Sequence, residues 1–504
     1  MEDYSERRPK KDGIKAHKAA QQKRADRFGK SGRSFDGARR AYHGGGTVHE
    51  RHIRRDMAEG EVNREARRRL QAERQKKRQK RQFQRLTALG ALTLVLVLSV
   101  LFVRVGVKGV WKKATEAKAK AEALELEKKK PKLQEATAVI TIAGDVIMHQ
   151  PLLESSVYYN GGSYDYNPIF TYMKEIYEAA DFAAVTTEYA LTEDGYSGYP
   201  LFCAPDAIAE AMAANGLDMC MLANNHIYDN GDEGLQRTMD VLEKNHLLYI
   251  GTRKNETDKN YVVQDINGIK VGFFNYVYET KTVGGTKTIN GISVGKASEN
   301  LINSFQEAEP QSLYDDIEKN LAEMKEEGVE YTVAFMHWGV EYKTKENSYQ
   351  DAIAQELCDL GIDALIASHP HVIEPVDLLE SGDGKHKMVC AYAIGNHLSN
   401  QRTEYMDGLV DGYSEDGMVV TLAIHRDKDG KITLEKADFT PTWVYHDKEP
   451  DDEYFILPLG HPEEVIEAAG LGNIEEDIEQ SLERTNRIVG EGVKKIQEAL
   501  PLEQ

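Results

Sequence analysis

The stretch AVITIAGDVIMH, residues 138–149, decides the fold. Its first six residues are apolar except for the β-branched Thr141. Gly144-Asp145 stops that run at a length that suits a strand and is too short for a core helix. A strand with apolar residues at both odd and even positions is buried on both faces, as in the parallel sheet of an α/β fold. It also delivers a carboxylate, Asp145, to its own end, with His149 four residues on.

Outward from this stretch the pattern repeats. Further strands are predicted at 182–187, 218–222, 248–250, 331–336, 364–367, 387–394, 418–425 and 431–439. Helical periodicity marks 168–180, 205–215, 232–245, 313–327 and 348–360. Pro205 opens one of these helices, where its missing N–H costs nothing. Asn267-Gly268, between 261–266 and 270–276, is a hairpin signal. Two amphipathic helices over 462–500 are expected to pack on the domain. Strands alternating with helices define an α/β fold class.

Successive strands run into side chains of one chemical kind. The first reaches Asp145 and the second Glu188. The third leads to Asn224-Asn225-His226, another to His337, and another to Ser368-His369-Pro370-His371. Carboxyl ends of strands form the ligand crevice of α/β sheets. Carboxylate, amide oxygen and imidazole suit Mn, Fe, Zn or Mg. A carboxylate shared by two ions about 3.5–4 Å apart would make a two-metal hydrolytic centre. One histidine after a strand is ordinarily structural. The recurrence at separate strand ends, and the His-x-His pair, point to a metal or phosphate site.

The net charge of −20 is unevenly divided. Residues 1–85 carry 27 Lys+Arg against 12 Asp+Glu, and the remainder 36 against 71. Between these regimes, 86–103 (LTALGALTLVLVLSVLFV) lacks any charge. At about 1.5 Å per residue it reaches roughly 27 Å, close to a bilayer's hydrocarbon thickness. The expectation is one transmembrane helix over 86–110. The dense Arg/Lys cluster at 64–85 places the N-terminus in the cytoplasm and the main domain outside the cell. The basic tail, 1–85, has no aromatic interleaving that would mark a nucleic-acid binder. It reads as a mostly disordered, solvated arm beside anionic lipid. Residues 111–136, rich in Ala, Lys and Glu, read as a helical stalk. A domain over 137–447 and a helical extension over 448–504 follow. Cys203, Cys220, Cys358 and Cys390 allow zero, one or two bridges.

The segments GDVIMHQ (144–150), ADFAAVTTEYALT (180–192), ANNHIYDNG (223–231), MHWGVEY (336–342), ASHPHVIEPVD (367–377) and YAIGNHLS (392–399) together resemble the CapA/PgsA family. Its members are bacterial poly-γ-glutamate capsule biosynthesis proteins whose outer domain is similar to calcineurin-like metallophosphatases. The resemblance implies a four-layer αββα sandwich with a divalent metal site of two ions. Carried over position by position, it makes Asp145, Glu188, Asn225, His337, His369 and His371 metal ligands. Glu188 stands where a bridging aspartate is usual. His226 matches the histidine that contacts a phosphoryl oxygen or protonates the leaving group. His149, Asn224, Asp229, Asn396 and His397 are accessory candidates. Three departures stand out. Ile147 replaces the histidine of the usual Asp-x-His, Thr186-Thr187-Glu188 replaces Asn-Leu-Glu, and Gly395-Asn396-His397 replaces Gly-Asn-Phe.

Two functional classes are in play. One is a metal-dependent hydrolase, phosphoesterase-like, that hydrolyses or transfers a phosphoester or amide in the synthesis or export of capsule polymer. The other is a non-catalytic polymer-binding or scaffold protein of an envelope biosynthesis complex. Whether the site turns over is open on the residues alone. The expected location is the bacterial cell membrane, crossed once. The expected partners are the membrane, other membrane proteins of polymer synthesis, and an anionic polymer or phosphoester substrate, with no nucleic acid. No P-loop or nucleophile elbow is present, so ATP-driven ligation would need another chain. An excess of carboxylates repels a polyanion, which would have to be met locally by cations.

Overall fold

A computed structural model of the chain describes residues 118, 120, 134–280, 285–406, 412–448, 452–471 and 474–500. The chain divides into two units, Met1–Lys129 and Lys130–Gln504. The second unit holds the strands β1 (Ala136–Val146), β2 (Phe182–Thr187), β3 (Ala190–Leu191), β4 (Cys203–Ala204), β5 (Met219–Met221), β6 (Leu248–Ile250), β7 (Val262–Ile266), β8 (Ile269–Tyr278), β9 (Thr288–Ile289), β10 (Ile292–Ser293) and β11 (Ser304–Phe305). They continue with β12 (Tyr331–His337), β13 (Ala364–Ser368), β14 (Val376–Glu380), β15 (Lys387–Ala391), β16 (Asn396–Leu398), β17 (Asp416–Arg426), β18 (Ile432–Asp447) and β19 (Glu453–Pro458). Its helices are α1 (Gln150–Glu154), α2 (Lys174–Glu178), α3 (Ala207–Ala214), α4 (Gly231–Lys244), α5 (Gln311–Glu327), α6 (Ser348–Leu360), α7 (Pro462–Ala469) and α8 (Glu475–Ala499).

One sheet has the order β19-β18-β17-β1-β2-β5-β6, with β16 also pairing with β1. The other runs β11-β8-β12-β13-β15-β14, with β7 on β8. Strands β1, β2, β5 and β6 are parallel, and so are β8, β12, β13 and β15.

Side-chain alternation explains the layers, because successive residues of a strand face opposite sides. Ile140 and Ile142 of β1, Phe273 of β8, Val333 and Phe335 of β12 and Ile366 of β13 share one core between the sheets. Their neighbours point outward. Ala183 and Val185 of β2 meet Ile208, Met212, Leu235 and Met239 of α3 and α4. Ala334, Met336 and Leu365 meet Leu313, Ile317, Ile353 and Leu357 of α5 and α6. Each fully buried Leu, Ile, Val, Phe or Met among these contributes about 1.5–3 kcal/mol. The result is helices, sheet, sheet, helices. Helix α8 adds Val489 and Ile496 to the inter-sheet core.

The hairpin forms as the turn residues dictate, with β7 and β8 antiparallel about Asn267 (φ 53°) and Gly268 (φ 85°). The expected helix over 168–180 is instead a 3-10 turn, Asn167–Phe170, followed by the short α2. Three-residue bonds from Thr171 N–H to the Pro168 carbonyl and from Met173 N–H to the Phe170 carbonyl break the longer repeat. The strand expected at 387–394 stops at Ala391, and the chain then crosses to the first sheet as β16. Gly144 makes that crossing feasible, since a Cβ there would lie 2.1 Å from the Gly395 carbonyl oxygen. Strands β14 and β19 were not anticipated. The second belongs to the segment read as a helical extension.

The expected localisation is corrected. Among the described residues no helix is long and apolar enough to cross a membrane. The longest, α8, has the length but alternates charged and apolar positions along its 25 residues. The span expected at 86–110, the basic tail and, apart from residues 118, 120 and 134–136, the stalk lie outside the described residues. The single-pass placement with an extracellular main domain therefore does not stand. All four cysteines are free and buried.

Candidate metal centre

Parallel pairing puts the carboxyl ends of β1, β2 and β5 on one side of the first sheet, and those of β12 and β13 on one side of the second. The two sets meet. Asp145, near the end of β1, accepts the backbone N–H of His369 at 3.1 Å. Glu188, just past β2, has Oε1 2.9 Å from Nε2 of His337, the last residue of β12. All four residues are buried.

Two ligand groups result. Glu188, His337 and His369 each offer a donor atom within 4.8 Å of the others, and so do Asp145, Glu188 and His371. Glu188 belongs to both. Asn225 joins the first group, with Oδ1 2.7 Å from His337 Nε2. Ser368 Oγ takes the other ring nitrogen of His337 at 3.1 Å. The backbone is strained where it presents the ligands, since His369 (φ 103°) and His371 (φ 59°) both occupy conformations that favour glycine. Such strain persists only where surrounding structure enforces it, and it concentrates at functional sites.

The electrostatics are those of an uncompensated site. Burial, reinforced by the Glu188 charge, pushes Asp145 up to about 8. Burial, with Glu341 and Asp229 adding to it, does the same to Glu188. Burial drives His337 down to about 4, and takes His369 and His371 well below the ordinary imidazole value. Asp145 Oδ1, both Glu188 oxygens and His369 Nδ1 are buried without a hydrogen-bond partner. Buried polar atoms in folded proteins nearly always have one. Carboxylate, amide and imidazole donors converging around such orphaned atoms are compatible with a divalent cation.

His226 sits beside this cluster. Its Nδ1 is 2.7 Å from Asp229 Oδ2, and its backbone N–H donates to Asn224 Oδ1 at 3.0 Å. Burial alone would lower its pKa. The Asp229 hydrogen bond and charge, with Glu188 and Glu341, outweigh burial and raise it. Asn224 is tied down in turn, donating to the Thr187 carbonyl at 2.8 Å. Asp229 also accepts the Phe202 N–H at 2.7 Å, and the Phe202 ring packs edge-on against His226.

His149 and His397 belong to neither group. The His149 ring centroid is 5.1 Å from that of Phe202, and burial, with the His226 charge adding to it, lowers its pKa to about 3. Its Nε2 is buried without a hydrogen-bond partner, and Ile147, where a histidine is usual, is buried in the core. His397 turns the other way, to the Tyr177 hydroxyl. Asn396 contacts the cluster through His371. Sequence reasoning passed over Ser368, Tyr278, whose ring lies 4.8 Å from that of His369, and Tyr342, 5.9 Å from that of His371. The signal for the first was its place at the end of β13, directly before His369. Tyr342 carried one as the last residue of the MHWGVEY segment, and Tyr278 carried none.

Fold and site thus define a mixed α/β protein with buried metal-type ligands at its strand ends. Residues 139–401 match the family model described as bacterial capsule synthesis protein PGA_cap, and the chain belongs to that family. It is 26% identical over 302 residues to the capsule biosynthesis protein CapA of Bacillus anthracis, covering 58% of this chain and 66% of that one. It is 26% identical over 239 residues to the PGA biosynthesis protein CapA of Bacillus subtilis (strain 168), covering 46% and 57%. The chain thus spans somewhat less than two thirds of the length of these curated relatives. Among solved structures it is similar to the NAD nucleotidase of Haemophilus influenzae, with TM-score 0.36, 13% identity, and 71% and 64% of the two chains covered. It is also similar to the calcineurin-like phosphoesterase YfkN of Bacillus subtilis, with TM-score 0.35, 14% identity, and 72% and 100% covered.

Proposed function

We propose that this chain is a metal-dependent hydrolase of the metallophosphatase type, acting on a phosphoester in the synthesis of a capsule polymer such as poly-γ-glutamate. The observation that carries the proposal is Glu188, buried and common to two ligand groups. Asp145, Glu188 and His371 would hold one divalent cation; Glu188, Asn225, His337 and His369 would hold the other. Bound there, such cations would supply Lewis-acid polarisation of an anionic oxygen and offset the chain's own carboxylates. The chain's residues do the rest. Asp229 fixes His226 through Nδ1, so the proton available for transfer is the one on Nε2. The raised pKa favours the protonated imidazole, which is the state a general acid needs. His226 would deliver it to the departing ester oxygen.

The test is hydrolysis of phosphodiesters by the purified chain with Mn²⁺. The chain is expected to turn over, and Glu188→Ala to abolish turnover. His226→Ala should cost about 10²–10⁴-fold. The loss should be larger for an alkyl leaving group, which needs the proton, than for 4-nitrophenolate, which does not. Turnover unchanged in Glu188→Ala would refute the reading. Stoichiometric metal without turnover would leave a binding or scaffold role instead.

A further inference from the structure

The tautomer of His371 can be read from the side chain behind it. Asn396 is fully buried on β16, beside the end of β1, with Asp145 as its register partner. Its amide nitrogen donates to the His371 carbonyl (3.2 Å), the Ser414 carbonyl (2.8 Å) and Gln401 Oε1 (2.9 Å). Two of these are backbone carbonyls, which only accept. The NH₂ end is therefore fixed, and Oδ1 must be the atom facing His371 Nδ1, at 3.1 Å. An imidazole nitrogen opposite a carbonyl-type oxygen carries the hydrogen. Nε2 is then left with its lone pair, on the side where Glu188 Oε2 lies 3.9 Å away.

Asn396 is itself held rigidly. Ser414 Oγ donates to the Gln401 carbonyl at 2.6 Å, and the Gln401 N–H donates to Ser399 Oγ at 2.8 Å. A Cβ at Gly417 would lie 2.1 Å from the Asn396 carbonyl oxygen, so the backbones there are in close contact.

We infer that Asn396 is a positioning residue that locks His371 in the Nδ1–H tautomer and so presents Nε2 to the cation shared with Asp145 and Glu188. The inference rests on the metal-centre reading. Outer partners of this kind typically change metal affinity by about 10–100-fold when removed.

Two measurements on the full chain test it. The first is ¹⁵N-histidine NMR of the metal-free protein, with His371 assigned by its loss in His371→Gln. Nδ1 should show the protonated, pyrrole-type shift and Nε2 the pyridine-type shift. Asn396→Ala should lose that preference, which a purely packing role would not alter. A proton on Nε2 in the parent overturns the inference, even if Asn396→Ala fails to fold. The second is calorimetric titration with Zn²⁺ or Mn²⁺. Asn396→Ala should weaken one ion about 10–100-fold and leave the other unchanged. Parent and variant binding two ions equally would sink this inference alone. A parent that binds no ion would sink the metal-centre reading, and this inference with it.

Discussion

Glu374, three residues past His371, is a buried carboxyl with one partner. Gln350 Nε2 donates to its Oε2 at 2.6 Å, and Oε1 has none. Burial pushes its pKa up to about 8, against 4.5 in the unfolded chain. Between those two values the folded state holds a proton that the unfolded state has released. Stability therefore falls as pH rises through this window. Glu374→Gln removes the titration. Its melting temperature should match the parent's at pH 5 and exceed it at pH 8, and an equal offset at both would contradict the assignment. At this scale the ligand residues were legible, because carboxylate, amide and imidazole recur at strand ends in one dimension. What Asn396, Ser368 and Asp229 do was not. Their roles depend on which neighbour a side chain reaches across the sandwich.

Among the elements, α8 is joined to the sheets by charge as well as by Val489 and Ile496. Arg484 makes a bidentate pair with Asp416 at 2.6 and 2.7 Å, and Ser481 Oγ adds a third bond at 2.6 Å. The Asp416 side chain is 2% exposed and that of Arg484 11%. Removing one partner of a buried pair strands the other, at about 3–5 kcal/mol. Arg484→Ala should lower the urea midpoint accordingly, with Asp416→Asn restoring part of the loss in the double variant. A midpoint unchanged by Arg484→Ala would mean that the helix is held by apolar contact alone. Elements with strong local signals were readable, such as the Asn267-Gly268 hairpin and the apolar β12 and β13. β16 was hidden because three residues carry no periodicity. β19 was hidden because its surroundings are acidic. The helix over 168–180 was drawn too long because helical spacing survives in two broken turns.

For the molecule as a whole, the sandwich does one thing that neither sheet could do alone. It sets the carboxyl ends of β1 and β2 against those of β12 and β13, so that ligands distant in sequence share one buried site. Residues 86–504 carry 71 acidic against 36 basic side chains. Bulk attraction therefore does not favour an anionic substrate, and the ion pairs that Asp145 and Glu188 make among the described residues are with histidines alone. Membership of the family was visible in its motifs, whereas the sharing of one carboxylate between two ligand groups needed three dimensions. The most direct test is metal content by mass spectrometry after equilibration of the full chain with Mn²⁺ or Zn²⁺ and removal of free ion. The account predicts two ions per chain, His371→Ala retaining one and Glu188→Ala retaining neither. A parent chain free of metal, or a Glu188→Ala chain that still holds two ions, would contradict it.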